Sequence, residues 1–282
     1  MTRCLFASDL HGSAARYEAL VGAIESEAAA ALFLGGDLLA HARDGTSEAE
    51  SLHRLLVAPL ERLRDRVGPA YPAVFVIMGN DDARSAEGVL QDADARGLLH
   101  YVHARRVSFG ERDVYGYACV PPTPFRLKDW ERYDVSRYVD PGCIAPEEGW
   151  HSVPVDAAER RRATIKGDLE RLAGAAPLDR AVFLFHTPPY RTRLDRAALD
   201  GVKVDGAPVD VHVGSIAVRR FIEARQPPLT LHGHIHESAS LTGAWQDRIG
   251  RTLLLSAAHD GPELALIRFD LERPEDAVRE LR

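Results

Sequence analysis

The sequence predicts an α/β protein in which one domain contains two β-sheets. Strand-like and helix-like segments alternate from the N-terminus, which is typical of βαβ units with buried strands. Several short strand-like runs then follow one another towards the C-terminus, which indicates additional sheet without intervening helices. At 282 residues, the chain is long enough to bury a substantial core.

The first hundred residues are predicted to form three strands separated by helices. Ser13 stands where the N-cap of the first helix is expected. In the second helix, apolar residues recur at helical spacing and predict a buried face. The residues of this leucine stripe are Leu52, Leu55, Leu56, Leu60 and Leu63. Strands are predicted at residues 4–8, 31–35 and 73–78, and helices at 13–29, 47–66 and 84–96.

The pattern then changes to two short strands, at 101–107 and 113–119, which predict an antiparallel hairpin at a sheet edge. Residues 121–154 carry many prolines, aromatics and charges without periodicity. Long irregular segments inside compact domains are usually functional, so a substrate-facing insert in a single domain over residues 1–282 is expected. Beyond the insert, helices are predicted at 155–174 and 215–225, strands at 181–185 and 229–233, and a β-meander at 241–245, 251–256 and 263–270.

Composition and charge limit the classes of partner. A formal net charge of −7 does not favour a broad electrostatic grip on nucleic acid. Cys4, Cys119 and Cys143 lack the spacing of a disulfide framework or a zinc ribbon, so they are expected to be reduced thiols. The sequence has no signal-peptide pattern and no run of 18 apolar residues, so no membrane partner and a cytoplasmic location are expected.

Polar residues follow five of the apolar runs, at the point where each run stops. The segments are LFASDLHG, ALFLGGD, AVFVIMGNDD, AVFLFHTPP and LTLHGHIHE. Ligands of α/β folds bind where parallel strands end, so these strand ends should meet at one edge. Histidines, carboxylates and an amide gathered there indicate a metal site. The candidate ligands are Asp9, His11, Asp37, Asn80, His186, His234 and His236.

The spacing of these residues suits a pair of ions. Asp9 and His11 are separated by one residue, so both side chains point to one side of an extended strand exit, and His234 and His236 repeat this spacing. Nitrogen and oxygen ligands without cysteine suit Mn²⁺, Fe²⁺, Zn²⁺ or Ni²⁺. Seven ligands are too many for one tetrahedral ion, whereas two divalent ions sharing a carboxylate use them all. Glycines that permit tight turns precede three ligands, at Gly36, Gly79 and Gly233.

The order of these motifs resembles the signature of the calcineurin-like metallophosphoesterase superfamily. The motifs are D-x-H at 9–11, G-D at 36–37, G-N at 79–80, H-T-P-P beginning at 186 and G-H-x-H at 233–236. The resemblance implies a four-layer α-β-β-α sandwich with two mixed β-sheets. It implies a first metal held by Asp9, His11, Asp37 and His236, and a second held by Asp37, Asn80, His186 and His234. Asp37 would bridge the two ions.

By this resemblance the protein is expected to be a hydrolase of small phosphoesters. Two ions about 3.5–4 Å apart lower the pKa of a bridging water and clamp phosphate oxygens. The resulting hydroxide would attack phosphorus in line, without a covalent enzyme intermediate. The candidate substrate contacts are Asn80, Arg126 and Lys128.

One position departs from the family pattern. Family members commonly carry G-N-H-D or G-N-H-E, in which the His assists the leaving group, but this chain has Asp81 at that place. A carboxylate with a pKa near 4 donates protons poorly at neutral pH and repels a phosphate dianion. Either the enzyme prefers diesters, which carry one negative charge fewer, or Asp82 and neighbouring anions hold Asp81 protonated. The diester hypothesis is favoured.

Asp81 and His212 are therefore the candidate catalytic residues. His212 could face a phosphate at the following helix N-terminus or be an ordinary turn residue, and His41 or the insert could supply the acid instead. His232 alternates with His234 and is predicted to lie in the core. A phosphomonoesterase of the same superfamily is the alternative function. A protein-binding module such as the similar retromer subunit is disfavoured by the complete ligand set, and a nuclease by the lack of an extended basic stripe.

Overall fold

Strands and helices alternate through the first part of the chain in a computed structural model that describes residues 2–39 and 47–282. Ser13 caps the first helix by accepting the Arg16 N–H, as predicted. A π-helical segment, His53–Val57, joins the second helix to the third, and the leucine stripe is buried. The elements are β1 (Arg3–Ala7), α1 (Ala14–Glu27), β2 (Ala31–Gly35), α2 (Glu48–Leu52), α3 (Ala58–Val67), β3 (Ala73–Ile77), α4 (Glu87–Ala95), β4 (His100–Tyr101), β5 (Arg105–Phe109) and β6 (Arg112–Tyr117).

The second part of the chain contains more strand than helix. The predicted helix over 155–174 is divided because Ala163 adopts an extended conformation and Thr164 caps a new helix. The elements are α5 (Ala157–Arg162), α6 (Ile165–Ala173), β7 (Ala181–Phe185), β8 (Lys203–Val204), β9 (Ala207–Pro208), α7 (Ile216–Arg225), β10 (Leu229–His232), α8 (Ser238–Thr242), β11 (Gln246–Ile249), β12 (Thr252–Ser256), β13 (Ala265–Asp270) and β14 (Arg273–Leu281).

Two six-stranded mixed sheets form the centre of the fold. The first has the order β14-β13-β1-β2-β3-β4, in which β1 to β4 are parallel. The second has the order β11-β12-β10-β7-β6-β5, in which β6, β7, β10 and β12 are parallel. The sheets face each other through β2 against β7 and β3 against β6, with helices on the outside. The predicted four-layer sandwich is confirmed.

The prediction of a C-terminal β-meander is wrong in two respects. Residues 241–245 begin within α8 and not in a strand, because Gly243 adopts a left-handed conformation (φ 69°) that ends this helix before β11. The remaining strands are divided between the sheets, with β11 and β12 in the second and β13 and β14 in the first. Strand β14 was not predicted, since it is an exposed, polar edge strand without an apolar run.

Residues 121–154 begin beyond the carboxyl end of β6 and form no helix or strand of their own in the described structure. Isolated bridges hold this insert, including Leu127 to Trp150 and Val120 to Glu131. Asp129 anchors it to the segment after β3, since its Oδ2 accepts the Arg84 N–H at 2.8 Å. The insert is thus a loop that is hydrogen-bonded to the segment following Asp82. Its orientation towards a substrate stays a prediction.

The described residues include no helix that is both long and apolar enough to span a bilayer. The three cysteines are free thiols, and Cys4 and Cys119 are buried. Burial raises the pKa of the Cys119 thiol to about 11, so this thiol is unreactive at neutral pH.

Candidate metal centre

The seven predicted ligands lie at one edge of the sandwich. In the first sheet, residues 9–11, 37 and 80 follow the carboxyl ends of the parallel strands β1, β2 and β3. In the second sheet, residues 186 and 234–236 follow the adjacent parallel strands β7 and β10. The edge therefore collects ligands from both sheets, as the placement of ligands at strand ends predicts.

A first group of side chains offers ligand atoms within 4.8 Å of one another, and consists of Asp9, His11, Asp37 and His236. The Nε2 atoms of His11 and His236 are 2.9 Å apart. His236 Nε2 lies 3.4 Å from Asp9 Oδ1, and His11 Nε2 lies 3.8 Å from Asp37 Oδ2. Two imidazole nitrogens and two carboxylates thus converge on one point.

A second group contains Asp37, His186 and His234, again with ligand atoms within 4.8 Å. His186 Nε2 lies 3.3 Å from Asp37 Oδ2 and 3.1 Å from Asn80 Oδ1, so the Asn80 amide oxygen belongs to the same cluster. The other ring nitrogen of His186 is 2.7 Å from the Gly35 carbonyl, which orients the ring. Asp37 is common to both groups, as a bridging ligand requires.

A buried oxygen of Asp9 shows that the cluster fits a cation. Asp9 Oδ1 accepts the His234 N–H at 3.0 Å, whereas Asp9 Oδ2 is buried without a hydrogen-bond partner in the described structure. Leaving a buried carboxylate oxygen without a partner is costly, and a divalent ion would supply that partner. The residues present therefore fit the two-ion site that the family resemblance implies.

The protonation of the cluster is dominated by its two buried carboxylates. Burial would lower the pKa of His186, but the charge and hydrogen bond of Asp37, the Asp9 charge and the Gly35 carbonyl together outweigh burial and raise this pKa to about 10. Burial acts likewise on His236, but its hydrogen bond to Asp9 and the charges of Asp9 and Asp37 together raise its pKa to about 9. Burial opposes ionisation of Asp37, yet His186 holds its pKa well below the usual range. The two carboxylates thus favour positive charge in the cluster, either on these histidines or on a bound cation.

The ligand loops hold several non-glycine residues in left-handed backbone conformations. The φ angles are 57° at Asp9, 45° at His11, 50° at Asp37 and 77° at His234. Such conformations cost on the order of 1–3 kcal/mol each and persist at functional sites where the surroundings impose them. The Asp9 N–H donates to the Gly36 carbonyl at 2.9 Å, and the His11 N–H donates to the Asp37 carbonyl at 2.9 Å. Backbone hydrogen bonds between neighbouring loops thus hold the ligands in place.

A family model described as calcineurin-like phosphoesterase matches residues 2–238. The chain belongs to this family. A comparison with curated protein sequences gave no match. Among solved structures, this phosphoesterase is similar in fold to the protein TT1561 of Thermus thermophilus, with 17% identity, a TM-score of 0.58, and 99% of this chain and 98% of that one aligned. It is also similar to a dimetal phosphatase from Danio rerio, with 12% identity, a TM-score of 0.53, and coverage of 99% and 95%.

Asp81 lies against the first ligand group of this phosphoesterase. Its Oδ2 is 3.7 Å from His11 Nδ1, and its Oδ1 accepts a hydrogen bond from the Asn80 amide at 3.0 Å. The side chain retains 29% of its exposure, so solvent reaches it. The residue that departs from the family pattern is therefore an accessible carboxylate beside the ligands.

Asp82 has a structural role that the sequence reasoning missed. Its carboxylate is fully buried and accepts the backbone N–H groups of Leu38, Leu39 and Gly79, at 3.1, 2.8 and 2.8 Å. Burial, and then the Asp37 charge, raise the pKa of Asp82 to about 8, while the three N–H donors act in the opposite direction. Asp82 thereby joins the loop that carries Asp37 to the loop that carries Asn80. Both of its oxygens are occupied by backbone donors.

Lys128 is placed differently from the predicted substrate contact. Its side chain is completely buried, and the ammonium forms an ion pair with Glu131 at 2.5 Å and donates to the Thr123 carbonyl at 2.9 Å. These contacts lie inside the insert, so Lys128 stabilises the insert rather than facing solvent. Arg126 is exposed on the same insert, where its carbonyl accepts the Trp150 N–H. Arg126 as a substrate contact stays a prediction.

The other predicted histidines have different environments. His232 is buried in the core, as predicted, with its ring nitrogens 3.0 Å from the Thr187 carbonyl and 2.8 Å from Thr230 Oγ1. His212 lies outside the ligand cluster and is hydrogen-bonded to Asp195, a residue that the sequence reasoning did not single out. His41 lies outside the described residues.

Proposed function

We propose that this phosphoesterase hydrolyses phosphodiesters, including nucleotide-like ones, at a pair of divalent ions. The observation that carries the proposal is the accessible Asp81 carboxylate, 3.7 Å from the His11 ring. A negative side chain at this place selects against substrates that bring two negative charges to the phosphorus.

Asp9, His11, Asp37 and His236 would hold one ion, and Asp37, Asn80, His186 and His234 the other. The mixed nitrogen and oxygen donors suit Mn²⁺, Fe²⁺, Zn²⁺ or Ni²⁺. When bound, the ions supply Lewis acidity that activates water and polarises phosphate oxygens. The ring of His186, fixed by the Gly35 carbonyl, keeps the second group aligned.

Electrostatic repulsion decides between the two substrate classes. Two unit charges 4 Å apart interact by about 4 kcal/mol at an effective dielectric constant of 20. A monoester dianion carries one negative charge more than a diester, so Asp81 opposes the monoester more strongly. The Asp81 side chain would have to be uncharged for the enzyme to favour monoesters.

The insert is proposed to form one wall of the substrate site. It begins after β6, which is parallel to β7, so it leaves the sheet at the edge that carries the ligands. Arg126 is exposed on the insert, as are Phe125 (59%) and Trp150 (50%), and the Trp150 N–H donates to the Arg126 carbonyl. A guanidinium with aromatic neighbours suits a phosphate that carries an apolar or aromatic group.

The proposal is tested with matched aryl phosphomonoesters and phosphodiesters, together with cyclic nucleotides, assayed with each of the four ions. A kcat/KM at least tenfold higher for diesters is expected. A clear preference for the monoester would replace the proposal with the phosphomonoesterase alternative. A purified protein that binds none of these ions and hydrolyses no ester would instead indicate a non-catalytic binding module.

A further inference from the structure

His212 and Asp195 form a hydrogen-bonded pair outside the ligand cluster. His212 Nδ1 lies 2.8 Å from Asp195 Oδ1. Asp195 is completely buried, whereas the His212 side chain retains 29% of its exposure. The pair therefore combines a sheltered carboxylate with an imidazole that a ligand can reach.

The loop around Asp195 fixes the carboxylate. Oδ2 accepts the Arg191 and Gly214 N–H groups at 2.8 and 3.2 Å, and Oδ1 accepts the Thr192 N–H at 2.9 Å. A carboxylate that accepts three backbone N–H groups also accepts the proton on His212 Nδ1. Nε2 is then left for other partners, and the described residues form no hydrogen bond with it.

The topology places this pair at the edge that carries the ligands. Strands β7 and β10 are adjacent and parallel, and α7 connects them. The loop between β7 and α7, which contains both residues, therefore begins at the carboxyl end of β7, where His186 is found. The Ser215 N–H donates to the Pro188 carbonyl at 2.9 Å, two residues beyond His186.

A second contact joins the same loop to the other histidine motif. The Ala198 N–H donates to Glu237 Oε1 at 3.0 Å, and Glu237 directly follows His236. The loop that carries Asp195 is thus tied to both ligand-bearing segments of the second sheet. A hydrogen-bonded His and Asp on a loop tied to the ligand-bearing segments, in a chain that lacks the usual acid at position 81, is an arrangement for proton transfer.

We propose that His212 is the general acid of this phosphoesterase and that Asp195 is its positioning residue; this inference rests on the proposed function. The oxygen of hydroxide forms a bond to phosphorus while the bond from phosphorus to the leaving oxygen breaks. The electron pair of that bond stays on the leaving oxygen, which takes the proton from Nε2 of doubly protonated His212. Solvent returns one proton to the ring, which balances the proton that water lost in forming hydroxide.

The test varies the leaving group in the intact, metal-loaded protein. Removing a general acid slows the departure of a poor leaving group far more than that of a good one, whereas a structural defect slows both equally. The substrates are methyl p-nitrophenyl phosphate, with a good leaving group, and methyl phenyl phosphate, with a poor one. For His212→Gln we expect kcat to fall by about 10²- to 10³-fold on the phenyl ester and by only a few-fold on the p-nitrophenyl ester.

Two variants and a control complete the design. Asp195→Asn should give the same leaving-group pattern with a smaller loss, provided that circular dichroism shows a folded protein; if it does not fold, His212→Gln decides alone. His53→Gln, on the outer helical layer, should change neither rate. Equal losses of kcat on both esters, or unchanged rates in His212→Gln, would overturn the inference. A wild-type protein active only on monoesters would contradict the proposed function, and the same comparison with phenyl and p-nitrophenyl monoesters would still decide the role of His212.

Discussion

The backbone N–H of Asp81 donates a hydrogen bond to Asp37 Oδ1 at 2.9 Å. The residue that departs from the family pattern is thus joined to the carboxylate shared by both ligand groups. Because this bond uses the backbone, a change of side chain at position 81 leaves it in place. Charge at position 81 can therefore be varied without removing a hydrogen bond from the bridging ligand.

Replacing Asp81 by histidine tests the charge hypothesis. Asp81→His removes a negative charge beside the first ligand group and restores the residue that family members commonly carry. The ratio of kcat/KM for monoester to diester should rise by about tenfold or more, in proportion to the repulsion removed. Asp65→His, on the exposed face of α3, is the control. Unchanged selectivity would count against the hypothesis.

Asp37 is expected to be indispensable because both ligand groups include it. Asp37→Ala should lower activity by at least 10³-fold and reduce bound metal below two ions per chain. Metal content measured by mass spectrometry, together with kcat, checks this expectation. The control variant Asp65→Ala should retain both the activity and the bound metal. Full metal loading in Asp37→Ala would show that this carboxylate does not bridge.

Gly36 permits close approach at the cluster. Its φ is 95°, and an added Cβ would lie 2.8 Å from His186 Nδ1 and 2.7 Å from the Met78 carbonyl. Gly36→Ala should therefore lower metal occupancy and the melting temperature. Gly22→Ala is the matched control, because nothing lies within 4 Å of its Cβ and α1 gains about 0.5–1 kcal/mol from alanine. Equal metal occupancy in the two variants would contradict the crowding at Gly36.

The Lys128 and Glu131 pair allows a stability role to be separated from substrate binding. Lys128→Met leaves Glu131 buried without its cation and should cost about 3–5 kcal/mol of unfolding free energy. The double variant Lys128→Met/Glu131→Gln should recover part of that loss, as measured by urea unfolding. Lys166→Met, exposed on α6, should be neutral. A higher KM with unchanged stability in Lys128→Met would restore the substrate-contact interpretation.

His103 should make stability depend on pH. Its Nδ1 accepts the Ala118 N–H, and burial, followed by the charges of Arg84 and Arg132, lowers its pKa to about 3. The unfolded chain protonates this ring near pH 6.5, whereas the folded chain does not. Stability is therefore fully present above pH 6.5 and falls as pH decreases towards 3, by at most about 1.4 kcal/mol per pH unit. Urea unfolding between pH 7 and 5 should show a flatter pH dependence for His103→Gln than for wild type or His53→Gln.

The clustering of the candidate ligands could be predicted because each of them follows an apolar strand, and strand order and direction are robust features of an α/β sequence. Contacts between loops that are distant in the sequence could not be predicted. Asp82 binds the backbone of Leu38 and Leu39, and Asp195 binds His212, and neither pairing has a local sequence signal. The left-handed conformations at Asp9 and Asp37 are likewise imposed by neighbouring loops.

Lys128 and β14 show two other limits of prediction from the sequence. A lysine in an irregular, aromatic segment suggested a substrate contact, but Glu131 three residues later was a signal for a local ion pair. Strand β14 pairs with β13 along its length while exposing mostly polar side chains, so it lacked the apolar pattern by which the other strands were predicted.

The ligands come from two sheets that pack face to face. Four candidate ligands follow strands of the first sheet: Asp9, His11, Asp37 and Asn80. The other three follow strands of the second sheet: His186, His234 and His236. Neither sheet alone carries a complete set for either ion. The metal affinity therefore depends on how the two sheets pack against each other. A substitution in the interface between the sheets, such as at Gly116, which packs against Ile77, would alter metal occupancy without changing a ligand.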